Sequence, residues 1–397
     1  MAQRNSSRRS GNERAAHRGL TAAVPNEGAE RAAIRTSQRR GGGATDRLIV
    51  SLLIAGTALL APPARADIDD MFLDVAGSAD ASGQLNFAMV PMDVIGELHR
   101  PVIDISIGGE SFSTLVDTGS EGLFVPLQEL GGTLGILEGI LGGYFELPTA
   151  IHAGDFSFGD NDPLWYLTLP VNQIGFGHDI QTGTELVSGP TEIQVLISSG
   201  SGFGGWFNFA LGLAFPKDFD YVDKYGAASI MGVGLGTGGP GPIVTAALPG
   251  NLGTVLVIDE PEHLLGFGTP PGVHWTEYYG DRPGDVDTPY SSLWVKIGDQ
   301  APVKVHALWD TGGGWGHIPS SVLDAGHQNL IDGGGLKNGV PVAVYGEIDG
   351  VRKLIYSFVT DAYHNTYIND DPDMNTGFFP FVNNIIGFCT AAGKCDS

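Results

Sequence analysis

The segment LVDTGSEGLFVP (Leu115–Pro126) has a counterpart nearly two hundred residues downstream, LWDTGGGWGHIP (Leu308–Pro319). Both place an apolar residue directly before Asp-Thr-Gly and a Pro nine positions after the Asp. A strand precedes each copy. VIDISIGG (Val102–Gly109) alternates Ile103, Ile105 and Ile107 against Val102, Asp104 and Ser106, and SLWVKIGD (Ser292–Asp299) repeats the alternation with Leu293, Val295 and Ile297. Period-two alternation bounded by Gly marks half-buried strands. The gap from Gly108 to Asp117 is nine residues and that from Gly298 to Asp310 is twelve. A repeat of this length predicts two related lobes, since a solenoid repeats at a much shorter period. Pro270-Pro271 suits the boundary, giving an N-terminal lobe over 84–272 and a C-terminal lobe over 273–397. Gly and Pro together make 84 of 397 residues, which suits a turn-rich all-β chain. Few stretches show a helical period, and Ser320–Ile331 is the best helix candidate.

Charge divides the chain. Residues 1–66 hold eleven Arg and four acids, a net of +7, and the remainder holds 10 basic and 41 acidic residues, a net of −31. Such an acidic body repels nucleic acid and anionic membrane surfaces, so neither is expected as a partner. Its field also favours protonated carboxyls. Leu48–Leu60 is an uncharged, mostly apolar run of 13 residues after Arg47, followed by APPARA. A basic flank, a short apolar core and an A-x-A-like site read as a secretory signal, too short for an ordinary spanning helix. Export to the envelope or beyond is therefore expected, with no membrane span once the signal is removed. The first 46 residues are open to three readings: a long n-region, a disordered extension or a misplaced start. Residues 67–83 read as an acidic linker. Cys389 and Cys395 are the only cysteines, and export makes a disulfide between them the expectation. Two thiols alone do not complete a tetrahedral metal shell.

Asp-Thr-Gly twice has a chemical reading. Two carboxyls about 3 Å apart cannot both ionise, so one proton is shared and the pair titrates in two separated steps. The ionised member can take a proton from water while the protonated member acts as acid, which is what amide hydrolysis needs. Asp117 and Asp310 are the candidate pair. Gly119 and Gly312 lack a Cβ and let backbone approach the carboxyls. Thr118 and Thr311 offer hydroxyls that can tie one lobe to the other. Val116 and Trp309 bury the loops. A single such tripeptide would read as a surface turn, but two copies on matched strands with matched Pro residues do not.

Other patterns fail on spacing. Asp371-x-Asp373-x-Asn375 is laid out like a calcium loop, but Gly377 falls one place late and Val382 stands where the twelfth-position Glu belongs. The G-x-S-x-G nucleophile elbow is absent. No metal or organic cofactor is expected.

These residues resemble the pepsin-type, two-lobed aspartic proteases. FNFALGLAFP (Phe207–Pro216) is similar to the apolar-apolar-Gly segment such enzymes thread behind the first Asp loop. Ser229–Gly253, Leu264–Gly272, Asp310–Leu323 and NTGFFPF (Asn375–Phe381) resemble more narrowly the PecA-type mycobacterial aspartic proteases that process PE-domain proteins. The resemblance runs over about Pro101–Phe388. It implies a bilobal pepsin-like fold, two β-barrel lobes with a cleft between them. It also implies a monomeric endopeptidase acting on protein or peptide substrates. A covering flap is implied between Asp117 and Phe207; Gly154–Val171 suits it, turning at Asp160–Pro163, with Trp165 and Tyr166 either capping the site or serving as ordinary strand aromatics. The chain departs from the family in three ways. No PE-type region is visible. Position 313 is Gly where these enzymes usually carry Ser or Thr, so Ser120 can bond the outer oxygen of its Asp and Gly313 cannot. The second apolar-apolar-Gly segment is either Ile385-Ile386-Gly387 or the family's Thr376-Gly377. The rival expectation is an idle pepsin-fold protein that binds a protein or glycan at the envelope.

Overall fold

A computed structural model describes residues 85–391 except 159–161, 215–225, 272, 274, 275, 279, 283, 284, 286 and 362–364. The basic extension, the apolar run 48–60, the acidic linker 67–83 and Cys395 with its expected bridge lie outside the described residues.

The chain is mostly β and folds into two lobes built on one plan. The alternating segment Arg100–Ile107 pairs antiparallel with Glu110–Asp117, which ends on the first Asp. The chain turns through Thr118–Ser120 into Glu121–Pro126. The gap between these two strands is filled from far away: Ser229–Val233 runs parallel to the Asp117 strand and antiparallel to Glu121–Pro126. The second lobe repeats this arrangement. Tyr290–Ile297 pairs antiparallel with Val303–Leu308. Met374–Asn375 then enters parallel to Val303–Leu308 and antiparallel to His317–Pro319. Beyond the strand that follows each Asp lies one more parallel neighbour, Thr191–Ser199 in the first lobe and Tyr367–Asn369 in the second. The lobes form ten- and nine-stranded sheets. A four-stranded sheet orders Phe87–Pro91, Leu264–Gly268, Val255–Asp259 and Ile385–Cys389, so the last strand packs beside strands from before the second repeat. No helix among the described residues is long and apolar enough to cross a membrane.

The alternation read in the sequence sets the cores. Ile103, Ile105, Ile107, Leu293, Val295 and Ile297 are all buried, while Asp104 is exposed.

Three readings need correction. Ser320–Ile331 is not an α-helix; it holds two short 3-10 turns, Ser320–Val322 and Gln328–Leu330. The Asp324 carboxylate accepts the Gly326 amide at 2.7 Å and shares the His327 amide, at 3.1 Å, with the Asp324 carbonyl at 3.0 Å, a turn bond in place of the α-helical one. The described α-helices are instead Gly132–Leu141 and Gly202–Ala214, whose apolar residues surround the axis and expose Leu134, Leu137, Leu141 and Phe207. Such a sequence carries no one-sided 3.6-residue signal. The segment from Phe207 accordingly does not thread behind the first Asp loop, because it lies in the second helix. Ile230-Met231-Gly232 occupies that place, with Gly232 opposite Asp117. Both stretches offer apolar-apolar-Gly; a Cβ on Gly232 would stand 2.6 Å from the Ser120 carbonyl carbon, so this glycine admits the loop.

The hairpin expected to cover the cleft forms, from Ala150–Phe156 and Leu164–Val171, with residues 159–161 of its turn outside the described set. Trp165 and Tyr166 do not cap anything, since both are buried within the lobe. The Trp165 indole donates to Gly200 O at 2.9 Å, and Tyr166 stacks on His152 with centroids 4.4 Å apart. A strand aromatic buries more apolar surface in the lobe than over an open cleft.

Candidate active site

The two Asp-Thr-Gly loops meet at the junction of the lobes and hold each other reciprocally. The Thr118 hydroxyl donates to Trp309 O at 2.7 Å and accepts the Thr311 amide at 3.0 Å. The Thr311 hydroxyl donates to Val116 O at 2.6 Å and accepts the Thr118 amide at 3.1 Å. Both hydroxyls are buried, and each satisfies two backbone groups of the opposite loop. Thr118→Val keeps the shape but leaves Trp309 O and the Thr311 N–H without partners. It is expected to lower unfolding stability by about 2–4 kcal/mol, read from urea denaturation, since each stranded buried group costs about 1–3 kcal/mol. A loss below about 0.5 kcal/mol would remove this grip from the account.

This grip brings Asp117 and Asp310 together. Both are buried, at 7% and 8% exposure, which is what makes their shared charge matter. The Gly119 amide donates to Asp117 Oδ1 at 2.9 Å, and the Gly312 amide to Asp310 Oδ1 at 2.8 Å. The glycines also pack crosswise. A Cβ on Gly119 would stand 2.5 Å from Asp310 Cγ, and one on Gly312 would stand 2.5 Å from Asp117 Oδ1. Val116 and Trp309 are buried beneath the loops.

The outer oxygens are held differently. Ser120 Oγ donates to Asp117 Oδ2 at 2.6 Å. Gly313 supplies nothing to Asp310, but the Asn375 amide donates to Asp310 Oδ2 at 2.5 Å. The neighbouring Thr376 hydroxyl accepts the Asp310 backbone amide at 3.3 Å. Of the two candidate segments, therefore, Thr376-Gly377 lies behind the second loop, while Ile385–Cys389 pairs with Val255–Asp259. Sequence reasoning missed Asn375 as a site residue. It stands directly before Thr376-Gly377, and the missing hydroxyl at position 313 was the signal that a donor had to come from elsewhere.

Burial pushes the Asp310 carboxyl up, and the neighbouring Asp117 charge adds to this, to about 8. Two carboxyls so placed share one proton, and their surroundings are unequal. Tyr290 packs on the strand beside Leu308; burial first, and then nearby carboxylates including Asp310, raise its phenol above the usual range. The calcium-like spacing does not converge. Asp373 faces Arg282 and His306, whereas Asn375 faces Asp310.

The family model described as the PE-PGRS C-terminal aspartyl peptidase-like domain matches residues 88–390. PE cleavage protein A of Mycobacterium tuberculosis (strain CDC 1551 / Oshkosh) is 33% identical over 299 residues, covering 74% of this chain and 48% of that protein. PE cleavage protein A of Mycobacterium marinum (strain ATCC BAA-535 / M) is 34% identical over 304 residues, with the same coverages of 74% and 48%. The chain thus spans about half the length of the curated relatives it matches. Among solved structures, the aspartic proteinase from Irpex lacteus aligns with a TM-score of 0.45 and 13% identity, over 77% of this chain and 94% of that one.

Proposed function

The chain belongs to the family of PE-PGRS C-terminal aspartyl peptidase-like domains, and on that premise we propose that it is an exported aspartic endopeptidase that cleaves envelope or secreted proteins. The observation that carries this reading is the pair of buried carboxyls, brought together by matched loops that grip each other across the two lobes. Asp117 acts as general base and takes a proton from a water held between the carboxyls. The water oxygen attacks the peptide carbonyl carbon, and Asp310 gives its proton to the carbonyl oxygen. Asp117 then gives its proton to the leaving nitrogen as the C–N bond breaks, and a hydroxyl of the tetrahedral intermediate returns a proton to Asp310 as the carbonyl re-forms, which restores the pair's single proton. The catalytic residues are Asp117 and Asp310; Thr118, Gly119, Ser120, Thr311 and Gly312 hold them. Gly313 was the one feature favouring an idle, binding-only protein, and Asn375 offsets it by giving Asp310 the missing donor. The apolar run at 48–60 supports export. The relatives' name, PE cleavage protein A, directs the substrate search to PE-domain proteins.

The test is hydrolysis of peptide libraries and envelope proteins by the full chain across pH, beside Asp117→Asn. The reacting form has Asp310 protonated. Its raised pKa keeps that proton through neutrality, so kcat/KM falls as pH rises through about 8, and at the acid end it falls again as the pair takes up a second proton and the base is lost. A rate that climbs steadily above that pH, or cleavage unchanged in Asp117→Asn, would sink the reading.

A further inference from the structure

We propose that Asn375 is the positioning residue of the second half-site, doing for Asp310 what Ser120 does for Asp117, and that position 313 is glycine so that this amide can enter. The assignment rests on the reading that the two carboxyls are the reacting pair.

The strand registers show the exchange. Ile230 lies opposite Leu115, two residues before Asp117. Asn375 lies opposite Leu308, two residues before Asp310. Ile230-Met231-Gly232 and Asn375-Thr376-Gly377 are therefore equivalent triplets. In the first lobe the triplet is apolar, and the donor comes from Ser120 on the Asp loop. In the second lobe the loop offers glycine and the triplet provides the donor. Space makes the two arrangements exclusive. A Cβ on Gly313 would stand 2.7 Å from Asp310 Oδ2 and 2.8 Å from Asn375 Nδ2, closer than carbon contacts allow.

The Asn375 amide is also held one way round. Its Oδ1 accepts the Gly377 backbone N–H at 2.8 Å, which leaves Nδ2 to face Asp310. A hydroxyl can turn to donate or accept, but this amide only donates. Asp310 Oδ2 is thus kept as an acceptor, and its proton is directed to Oδ1, on the side of the Gly312 amide. The titratable group facing Asp310 from the opposite loop is Asp117, and the one from the adjacent strand is Tyr290. On the segment that carries Asn375, Asp373 is taken up by Arg282 and His306, the latter also held by Asp285.

The experiment follows the Asp310 carboxyl by 13C NMR across pH in the full chain, with peptidase kinetics alongside. Loss of a donor to a carboxylate raises the apparent pKa, by about one unit for a charge-assisted bond of ordinary strength. Asn375→Ala is expected to show that rise, with kcat down about tenfold and KM changed less than about threefold. Asn375→Asp keeps an acceptor for Gly377 while putting a carboxylate where the donor stood, and loss of the donor together with like-charge repulsion should raise the pKa further than in Asn375→Ala. Gly313→Ser is expected to damage the wild-type site, because its Cβ meets both the Asn375 amide and Asp310 Oδ2. Titrations of Asn375→Ala and Asn375→Asp that overlay the wild type would overturn the assignment. If the wild type cleaves no peptide, the proposed function fails, and the titration still decides the role of Asn375.

Discussion

Asp117→Asn and Asp310→Asn are each expected to lower kcat/KM by at least about a thousandfold, because neither half of a shared-proton pair works alone. With Asn at 117, no group remains to take the proton from water. With Asn at 310, the substrate carbonyl loses its proton donor. The two variants should differ in stability, because their surroundings differ. An amide at 117 can turn its NH2 toward Ser120, whose hydroxyl can accept as readily as donate. An amide at 310 meets the Asn375 Nδ2 on one side and the Gly312 N–H on the other, both of them donors. One donor–donor conflict must remain, so Asp310→Asn should be the less stable by about 1–3 kcal/mol in urea unfolding. Full peptidase activity in both variants would end the two-carboxyl mechanism. Equal stabilities would mean that the donor set around Asp310 is not as described.

Much of the frame was legible because repeated strand chemistry leaves a local record. Ile103–Ile107 and Leu293–Ile297 alternate, each leads to Asp-Thr-Gly, and each strand pair forms where the pattern places it. What failed depended on partners distant in sequence. Ile230-Met231-Gly232 is one of several apolar-apolar-Gly stretches, and only its pairing with Leu115–Asp117 distinguishes it from Ala210-Leu211-Gly212 in a helix. Its second-lobe equivalent, Asn375-Thr376-Gly377, has no apolar pattern left to read. Trp165 and Tyr166 lie on the hairpin that was expected, but alternation does not say which face meets the lobe interior and which the cleft. The grip between Thr118 and Thr311 was legible for a different reason. A buried hydroxyl on each of two matched loops has few other uses.

The largest effect away from the carboxyls themselves is expected at the two glycines that cross-pack the pair. Gly312→Ala puts a methyl 2.5 Å from Asp117 Oδ1 and 2.8 Å from its Cγ. The neighbour cannot simply swing aside. Asp117 has a short side chain, and its oxygens are already held by the Gly119 amide and Ser120. Either the carboxyl breaks those bonds or the second loop backs away from the first, straining the threonine grip. Both responses separate the carboxyls. Gly119→Ala does the same to Asp310, at 2.5 Å from Cγ. Each variant should lower kcat by about a hundredfold or more, since displacement of about 1 Å at a reacting pair has that scale. Overpacking should also cost about 1–3 kcal/mol of stability. Gly204→Ala is the matched control. It lies in the helix Gly202–Ala214 with no atom within 4 Å of the added methyl. It should leave turnover unchanged and stabilise by about 0.5–1 kcal/mol, because alanine loses less backbone freedom in a helix than glycine does. Wild-type turnover in Gly312→Ala and Gly119→Ala would show that the carboxyls do not need this approach of the two loops. The asymmetry of their surroundings would then matter less than their shared proton.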